Sequence, residues 1–533
     1  MAALFRTRPA WLFWGAFLFF VAFSRGYISN IDVQIRYLVA NQIWHHGTVH
    51  PTEEQFDGAV GATLAQGKDG RRISSYGLGQ SLTMLPAVVA ADLASRVLIA
   101  PENRAEFQYR TGQFLYKTLI LPLLSALALL AFTTLAVRLG LTPPVAVWSA
   151  FTLGFATYWL FYTKTIGMGV ELAGWLLWAL VAFTSSVPRI PALLLTSLFL
   201  GIPFLYRQEM LIPVAVGFVI LLFKERRNHG LSLKSCTAFL VPITLCGLAA
   251  LWHNHARTGS LFSAGYGDAF TQAGHTLFAD YPGKYLLQLF FGATKGFFWF
   301  SPILLVSLGL LLPGPRRWHP ALTLAALPVL AFVFFVSSLH NAPTVGGWGM
   351  RFLVPITPFA VLAVAILFSK RLEGAGTRRT LLALVLINVG FQGVLGFADH
   401  NAVQMQTERT DEILASRGAP PLAGWQSSRL AGKLRNLGIP LGERALVTEI
   451  WNSDEIQAYG TTFGQNLWWL KVAQLSGSRV VAVGCYGVGI ALTLASLFAL
   501  ALALWGSSVP RTVPAVPENR VAHPIPAASR QPS

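Results

Sequence analysis

Arg25-Gly26-Tyr27-Ile28-Ser29-Asn30-Ile31-Asp32-Val33-Gln34-Ile35-Arg36-Tyr37-Leu38 opens the first long polar interval of the chain, residues 25–80, directly after an apolar N-terminal segment. Ile31, Ile35, Leu38, Val39 and Ile43 recur at helical spacing, which predicts a short amphipathic helix lying on a membrane surface. Asp32 falls at the start of that helix. An acid in this position ordinarily stabilises the helix N-terminus. The rest of the chain decides whether this one does more.

On the N-terminal side, the apolar run 11–23 follows Arg6 and Arg8, and Ser24-Arg25-Gly26-Tyr27 makes a poor cleavage site. An uncleaved first span with its N-terminus inside is expected. Over all 533 residues the chain is 54% hydrophobic and 12% charged, with a mean hydropathy of +0.53. Apolar runs of about 16 to 26 residues recur, and a bilayer core needs roughly 20 helical residues to cross. These features exclude an ordinary soluble enzyme. The net charge of +17 is not gathered on one face. It falls in short clusters between apolar runs, as membrane orientation demands, so no nucleic acid partner is expected. Cys236, Cys246 and Cys485 lie within or beside apolar segments without metal-ligand spacing, and are read as inert.

Beyond the first loop, spans are expected at about 113–137, 142–162, 168–187, 190–205, 209–223, 235–252, 297–312, 320–337, 352–369, 380–397 and 480–505. Lys224-Glu225-Arg226-Arg227, Arg316-Arg317, Lys370-Arg371 and Arg378-Arg379 should be cytoplasmic. Counting back from Lys224 leaves residues 100–112 outside, on the same side as the first loop. Residues 78–99 should then re-enter or lie flat. The expectation is an all-α polytopic membrane protein with about 12 transmembrane helices and both termini inside. It carries interfacial helices in the first outer loop, a small outer region at 398–478, a last transmembrane helix at 479–506 and a disordered cytoplasmic tail at 507–533.

The outer loops collect the informative polar groups. Lys164, Arg207 and Arg351 each sit where a span meets the outer surface, with Lys295 nearby in Ala293-Thr294-Lys295-Gly296. One such cation would be read as snorkelling to lipid phosphates. Four together suit a phosphorylated lipid, because Arg and Lys make strong, directional bonds to phosphate. Glu171 lies four residues into the span after Gly167-Met168-Gly169, a costly depth unless it pairs with Lys164 or Arg207 or does chemistry. Glu209, His253, Asn254, His340 and Trp348 add groups suited to binding a substrate. The two His residues at 253 and 255 are a weak metal signal, so no metal site is assigned, although a divalent metal remains compatible. A carboxylate beside several cations suits group transfer from a polyprenyl phosphate. The carboxylate takes the acceptor's proton, and the cations stabilise charge on the departing phosphate.

The order of these features resembles the membrane glycosyltransferases of the C superfamily, which include the protein O-mannosyltransferases, the lipid A aminoarabinose transferase and bacterial family-39-like relatives. The matching stretches are Asp32, Tyr76-Gly77-Leu78-Gly79-Gln80-Ser81-Leu82, Arg207-Gln208-Glu209, Trp252-His253-Asn254-His255-Ala256-Arg257-Thr258-Gly259-Ser260, Lys295-Gly296-Phe297-Phe298-Trp299-Phe300-Ser301-Pro302 and Gly346-Gly347-Trp348-Gly349-Met350-Arg351-Phe352. The resemblance covers about residues 1–400. It implies a transmembrane transferase domain at 1–397 whose first outer loop, 25–112, is catalytic, with Asp32 as the base and inversion at the anomeric centre. Relatives commonly carry a second-loop Asp where this chain has Glu171. The implied donor is a polyprenyl-phosphate-linked sugar, and the acceptor a glycan, lipid or protein. The implied location is the plasma (inner) membrane, multi-pass, with the site on the extracytoplasmic side. A transporter or flippase for lipid-linked sugars, or a non-catalytic envelope-assembly subunit, is the alternative. The nearly charge-free spans favour the enzyme, because transporters place polar groups at the midplane.

Overall fold

The computed structural model describes residues 7–51, 64–68, 70, 72–230, 232–263, 278–310, 320–339, 350–369, 375–397, 400–439, 441–458 and 467–505. Among them, five helices are long and apolar enough to cross a membrane: Gly79–Leu98, Pro101–Arg138, Arg189–Tyr206, Leu233–Thr258 and Arg479–Leu504. Shorter apolar helices, such as Arg8–Ala22 and Met168–Phe183, stand beside them. Some of the expected spans are broken. The run 142–162 divides into Pro143–Phe155 and Trp159–Lys164, and the run 297–312 into Phe297–Phe300 and a 3-10 stretch, Pro302–Leu310. Pro302 has no N–H to continue the helix before it.

The first eleven α-helices are α1 (Arg8–Ala22), α2 (Ile31–His46), α3 (Gly79–Leu98), α4 (Arg104–Leu115), α5 (Leu121–Arg138), α6 (Pro143–Phe155), α7 (Trp159–Lys164), α8 (Met168–Phe183), α9 (Arg189–Tyr206), α10 (Leu211–His229) and α11 (Leu233–Thr258). α8 packs between α5 and α9, α9 packs along α11, and α1 lies against α5 and the C-terminal helix Arg479–Trp505. The largest side chains sealed in the core include Phe132, Tyr158, Trp159 and Phe161. At the end of the α9–α10 pair, Arg189 donates to both oxygens of Glu225. The acid inside the Lys224 cluster therefore ties two helices together.

α2 forms where the spacing of Ile31, Ile35 and Leu38 placed it, but it does not lie on a surface. Val33, Ile35, Arg36, Tyr37, Leu38, Val39 and Ala40 are all buried. A helix covered on several faces belongs to a core rather than an interface. Its cover comes from α3, from the outer part of α4, and from an antiparallel hairpin of β1 (Leu64–Gln66) and β2 (Arg72–Ser74) that pairs Ala65 with Ile73. Gln34 donates to Tyr109 Oη at 2.8 Å, and the Ile28 N–H donates to Gln113 Oε1 at 3.2 Å. Those partners lie on a 38-residue helical stretch, Pro101–Arg138. At 1.5 Å per residue it spans about 57 Å, well beyond the roughly 30 Å of a bilayer core.

The entry to α2 is fixed from the far end of the chain. Trp468 and Trp469 donate their indole N–H groups to the Val21 and Ala22 carbonyls at 3.0 and 2.9 Å, and the Trp468 N–H donates to the Ser24 carbonyl at 3.1 Å. The Val21 and Ala22 carbonyls lie in the last turn of α1, where the helix has run out of i+4 donors. Gly26 turns the chain there with φ +70°, and a Cβ on it would stand 2.6 Å from Trp468 Cβ. Only glycine meets both demands. Between residues 400 and 458, Leu414, Leu422, Val447, Ile450, Trp451 and Ile456 form a small core of their own. Leu430 joins that region to the main core.

Candidate functional site

The cap of α2 is Asn30, whose Oδ1 accepts from the Val33 N–H at 3.2 Å. Asp32 is thereby relieved of the capping duty that an acid at this position ordinarily has. Its Oδ1 accepts from Tyr76 Oη at 2.5 Å and its Oδ2 accepts from Arg351 at 2.9 Å, across 319 residues of chain. Burial pushes the Asp32 carboxyl up, but the charges of Arg351 and Arg36 and the bond from Tyr76 outweigh it and hold the group below the usual carboxylate range. Asp32 is therefore an anion at neutral pH, with lone pairs left on both oxygens.

Tyr76 and Arg351 face a cavity of about 460 Å³ that is also lined by Arg36, Tyr206, Arg207, Glu209, Arg257 and Met168. Glycines let its walls close. A Cβ on Gly77 would meet the Leu205 carbonyl oxygen at 2.4 Å, and one on Gly79 would enter the Tyr206 ring at 2.1 Å. Tyr76-Gly77-Leu78-Gly79 therefore serves to seat the start of α3 on the end of α9, bringing Tyr76 next to Arg207. Glu209 forms a two-point pair with Arg207 at 2.7 and 3.3 Å, and Arg207 and Arg351 both stack on Phe352. Burial opposes ionisation of Glu209, yet Arg207 holds its carboxyl below the usual range. Four guanidinium groups thus meet two carboxylates, leaving the site net positive.

Arg257 has a different part. Its guanidinium donates to the Ser74 carbonyl, to Asn254 Oδ1 at 3.0 Å and to the His253 carbonyl at 3.4 Å. Its own carbonyl accepts from the Lys68 N–H at 3.2 Å. It braces the hairpin that delivers Tyr76. Asn254 and His253 are buried behind it and are not among the residues lining the cavity. The structure thus places these two expected substrate-binding residues in support of Arg257.

Glu171 pairs with neither Lys164 nor Arg207 among the described residues. Its Oε1 accepts from Tyr116 Oη at 2.7 Å and from Gln80 Nε2 at 3.2 Å. Its Oε2 accepts from Tyr206 Oη at 2.8 Å and from Thr83 Oγ1 at 2.9 Å. Both oxygens are occupied, and Glu171 does not line the cavity. Tyr116 stands on a π-helical turn, Tyr116–Ile120, between α4 and α5. Such turns re-aim side chains at functional positions.

Of the expected cations, Arg207 and Arg351 reach the cavity. Lys164 instead borders a small apolar recess with Phe19, Phe20, Phe23 and Phe161. Lys295 lies in the turn before Phe297–Phe300 and is not among the cavity-lining residues. His340 and Trp348 lie outside the described residues. Sequence reasoning missed Arg36, Tyr76 and Arg257. The available signal for Arg36 was its i+4 spacing from Asp32, which puts both on one face of α2. Among the described residues, no three His, Cys, Asp or Glu side chains come together in a group that could hold a metal ion.

No protein-family model and no curated protein matches the chain. Among solved structures, the chain is similar to the ArnT from Cupriavidus metallidurans bound to undecaprenyl phosphate, at 12% identity and a TM-score of 0.44, over 92% of this chain and 75% of that one. It is similar to the apo state of the same protein at 11% identity and a TM-score of 0.44, over 92% and 74%.

Proposed function

We propose that the protein is a membrane glycosyltransferase that moves a sugar from a polyprenyl-phosphate donor to an acceptor hydroxyl, with inversion, at the outer face. The observation that carries this reading is the Asp32 carboxylate, held ionised directly behind Tyr76 and Arg351, two residues that line a net-positive cavity. Asp32 accepts the proton of the acceptor hydroxyl as its oxygen attacks the anomeric carbon. The bond from that carbon to the phosphate oxygen breaks, and its electron pair leaves with the polyprenyl phosphate. Arg207 and Arg351 stabilise the charge that develops there.

A lipid donor is supported by a second cavity, of about 110 Å³ and almost wholly apolar, which runs along α10 past Met210, Pro213, Gly217 and Leu221 to Lys224. Its end at Met210 adjoins the polar cavity, which Leu211 lines. From Met210 to Lys224 the helix rises about 21 Å, a suitable length for several isoprene units. The Lys224 cluster at the far end supports an inner location for it and an outer one for Asp32. The twelve-span arrangement, the transferase domain at 1–397 and the inner-membrane location belong to the same proposal.

The test is transfer from a radiolabelled polyprenyl-phosphate sugar by the purified protein, with Asp32→Asn beside it. Transfer that vanishes in the variant while the donor is still bound is the expected result. Donor binding and transport without transfer in both proteins would overturn the reading in favour of a flippase.

A further inference from the structure

Arg36 is buried to 3% exposure and lines the polar cavity. Among the described residues its one hydrogen bond runs to Gln80 Oε1 at 3.1 Å, and its guanidinium lies 4.0 Å from the centre of the Tyr76 ring. Its Nε–H is buried and finds no partner among the described residues. Taking a guanidinium out of water is costly unless its donors are met. Here one bond and one ring meet the guanidinium, and the Nε–H is left unmet. The Asp32 and Glu209 charges act on it from a distance, and each already has an arginine of its own.

Gln80 in turn is held rigidly. Its amide Nε2 donates to Tyr116 Oη at 2.9 Å, to the Ile166 carbonyl at 2.9 Å and to Glu171 at 3.2 Å. An amide whose NH₂ is fixed by three acceptors has its oxygen pointed one way, and that oxygen faces Arg36. Glu171, with four donors on its two oxygens, is the anchor of this arrangement.

The geometry points to Arg36 as a further ligand of the donor phosphate, positioned by Glu171 through Gln80. This rests on the transferase reading above. Arg36 then supplies a guanidinium beside those of Arg207 and Arg351, and Glu171 is a positioning residue whose carboxylate never meets substrate.

The experiment measures binding of undecaprenyl phosphate and of undecaprenol to the full chain in nanodiscs. The ratio of the two affinities reports the phosphate contacts alone. Wild type is expected to prefer the phosphate strongly. Arg36→Gln should cut that preference by about ten- to a hundred-fold, the range for lost charge-assisted bonds, with undecaprenol binding unchanged. Arg36→Lys should recover part of it, since charge returns without the planar fork. Glu171→Gln should cut the same ratio, and the double variant should be within about two-fold of Arg36→Gln, as residues acting in one chain are not additive. Tyr116→Phe, which removes one support of Glu171, should move the ratio the same way even if Glu171→Gln fails to fold. A wild type without phosphate preference would overturn the donor reading itself. A preference kept intact by Arg36→Gln, or an equal loss for both lipids, would overturn only the role of Arg36. Effects of Arg36 and Glu171 that multiply would overturn the positioning link.

Discussion

Two carboxylates stand close to the polar cavity, and their surroundings differ in kind. Asp32 has one hydroxyl and one guanidinium on it, both from residues that line the polar cavity, and keeps lone pairs free. Glu171 has three hydroxyls and an amide on it, and of these donors only Tyr206 lines that cavity. In a carboxylate saturated by neutral donors, every lone pair that could accept a further proton is already engaged. One that is held ionised yet only half engaged keeps lone pairs open to a further donor. Tyr206 connects Glu171 to the cavity, since it donates to Glu171 and also lines the cavity.

The contrast predicts different losses for matched substitutions. Asp32→Asn carries the largest effect, a fall in transfer rate of about 10²–10⁴-fold. Folding should be preserved, because Asn30 and not Asp32 caps α2. Steady-state transfer and thermal unfolding of the same preparation check both halves, and near-normal turnover would break the contrast at once.

Arg351→Gln comes next, with donor affinity reduced about ten- to a hundred-fold. It also has a pH signature. Arg351 lowers the Asp32 pKa, so its removal raises that pKa. The deprotonated fraction at mildly acidic pH then falls, and the acid limb of the kcat/KM profile moves to higher pH. A limb that stays in place would detach Arg351 from the base.

For Glu171→Gln the stability loss should be the more general sign. An amide cannot accept from all four donors, and an unmet buried donor costs about 1–3 kcal/mol. The thermal midpoint in detergent should drop, while the acid limb of the rate profile stays where wild type has it. A shifted limb would mean that Glu171 takes part in proton transfer after all. The smallest effect is expected for Asn30→Ala, about 1 kcal/mol for the lost cap. Its rate should stay close to wild type, and a collapse in rate would show that the cap, rather than the cavity, sets the position of Asp32.

Much of this was legible in the chain before any tertiary contact. Long apolar runs divided by Lys/Arg clusters indicate a membrane bundle, because backbone polar groups in hydrocarbon must be satisfied within a helix. An acid early in the first polar loop marks Asp32, and cations at the outer ends of spans mark Arg207 and Arg351. The same rule also marked Lys164 and Lys295, which do not line the polar cavity. A cation at a span end is recognised by sequence position alone, whereas the direction of its side chain depends on which neighbour its helix packs against. The expected surface helix became a buried one for the same reason: its partners, a short hairpin and the projecting end of a 38-residue helical stretch, are not encoded near it. The pairing of Asp32 with Arg351 spans 319 residues, and the fixing of its loop by Trp468 and Trp469 reaches back 447. Local periodicity carries no information about contacts that distant. The sequence by itself determined that helices form and which end of each carries charge. Only tertiary packing decided that Asp32 is left with free lone pairs while Glu171 is saturated, because that depends on which donors converge in space.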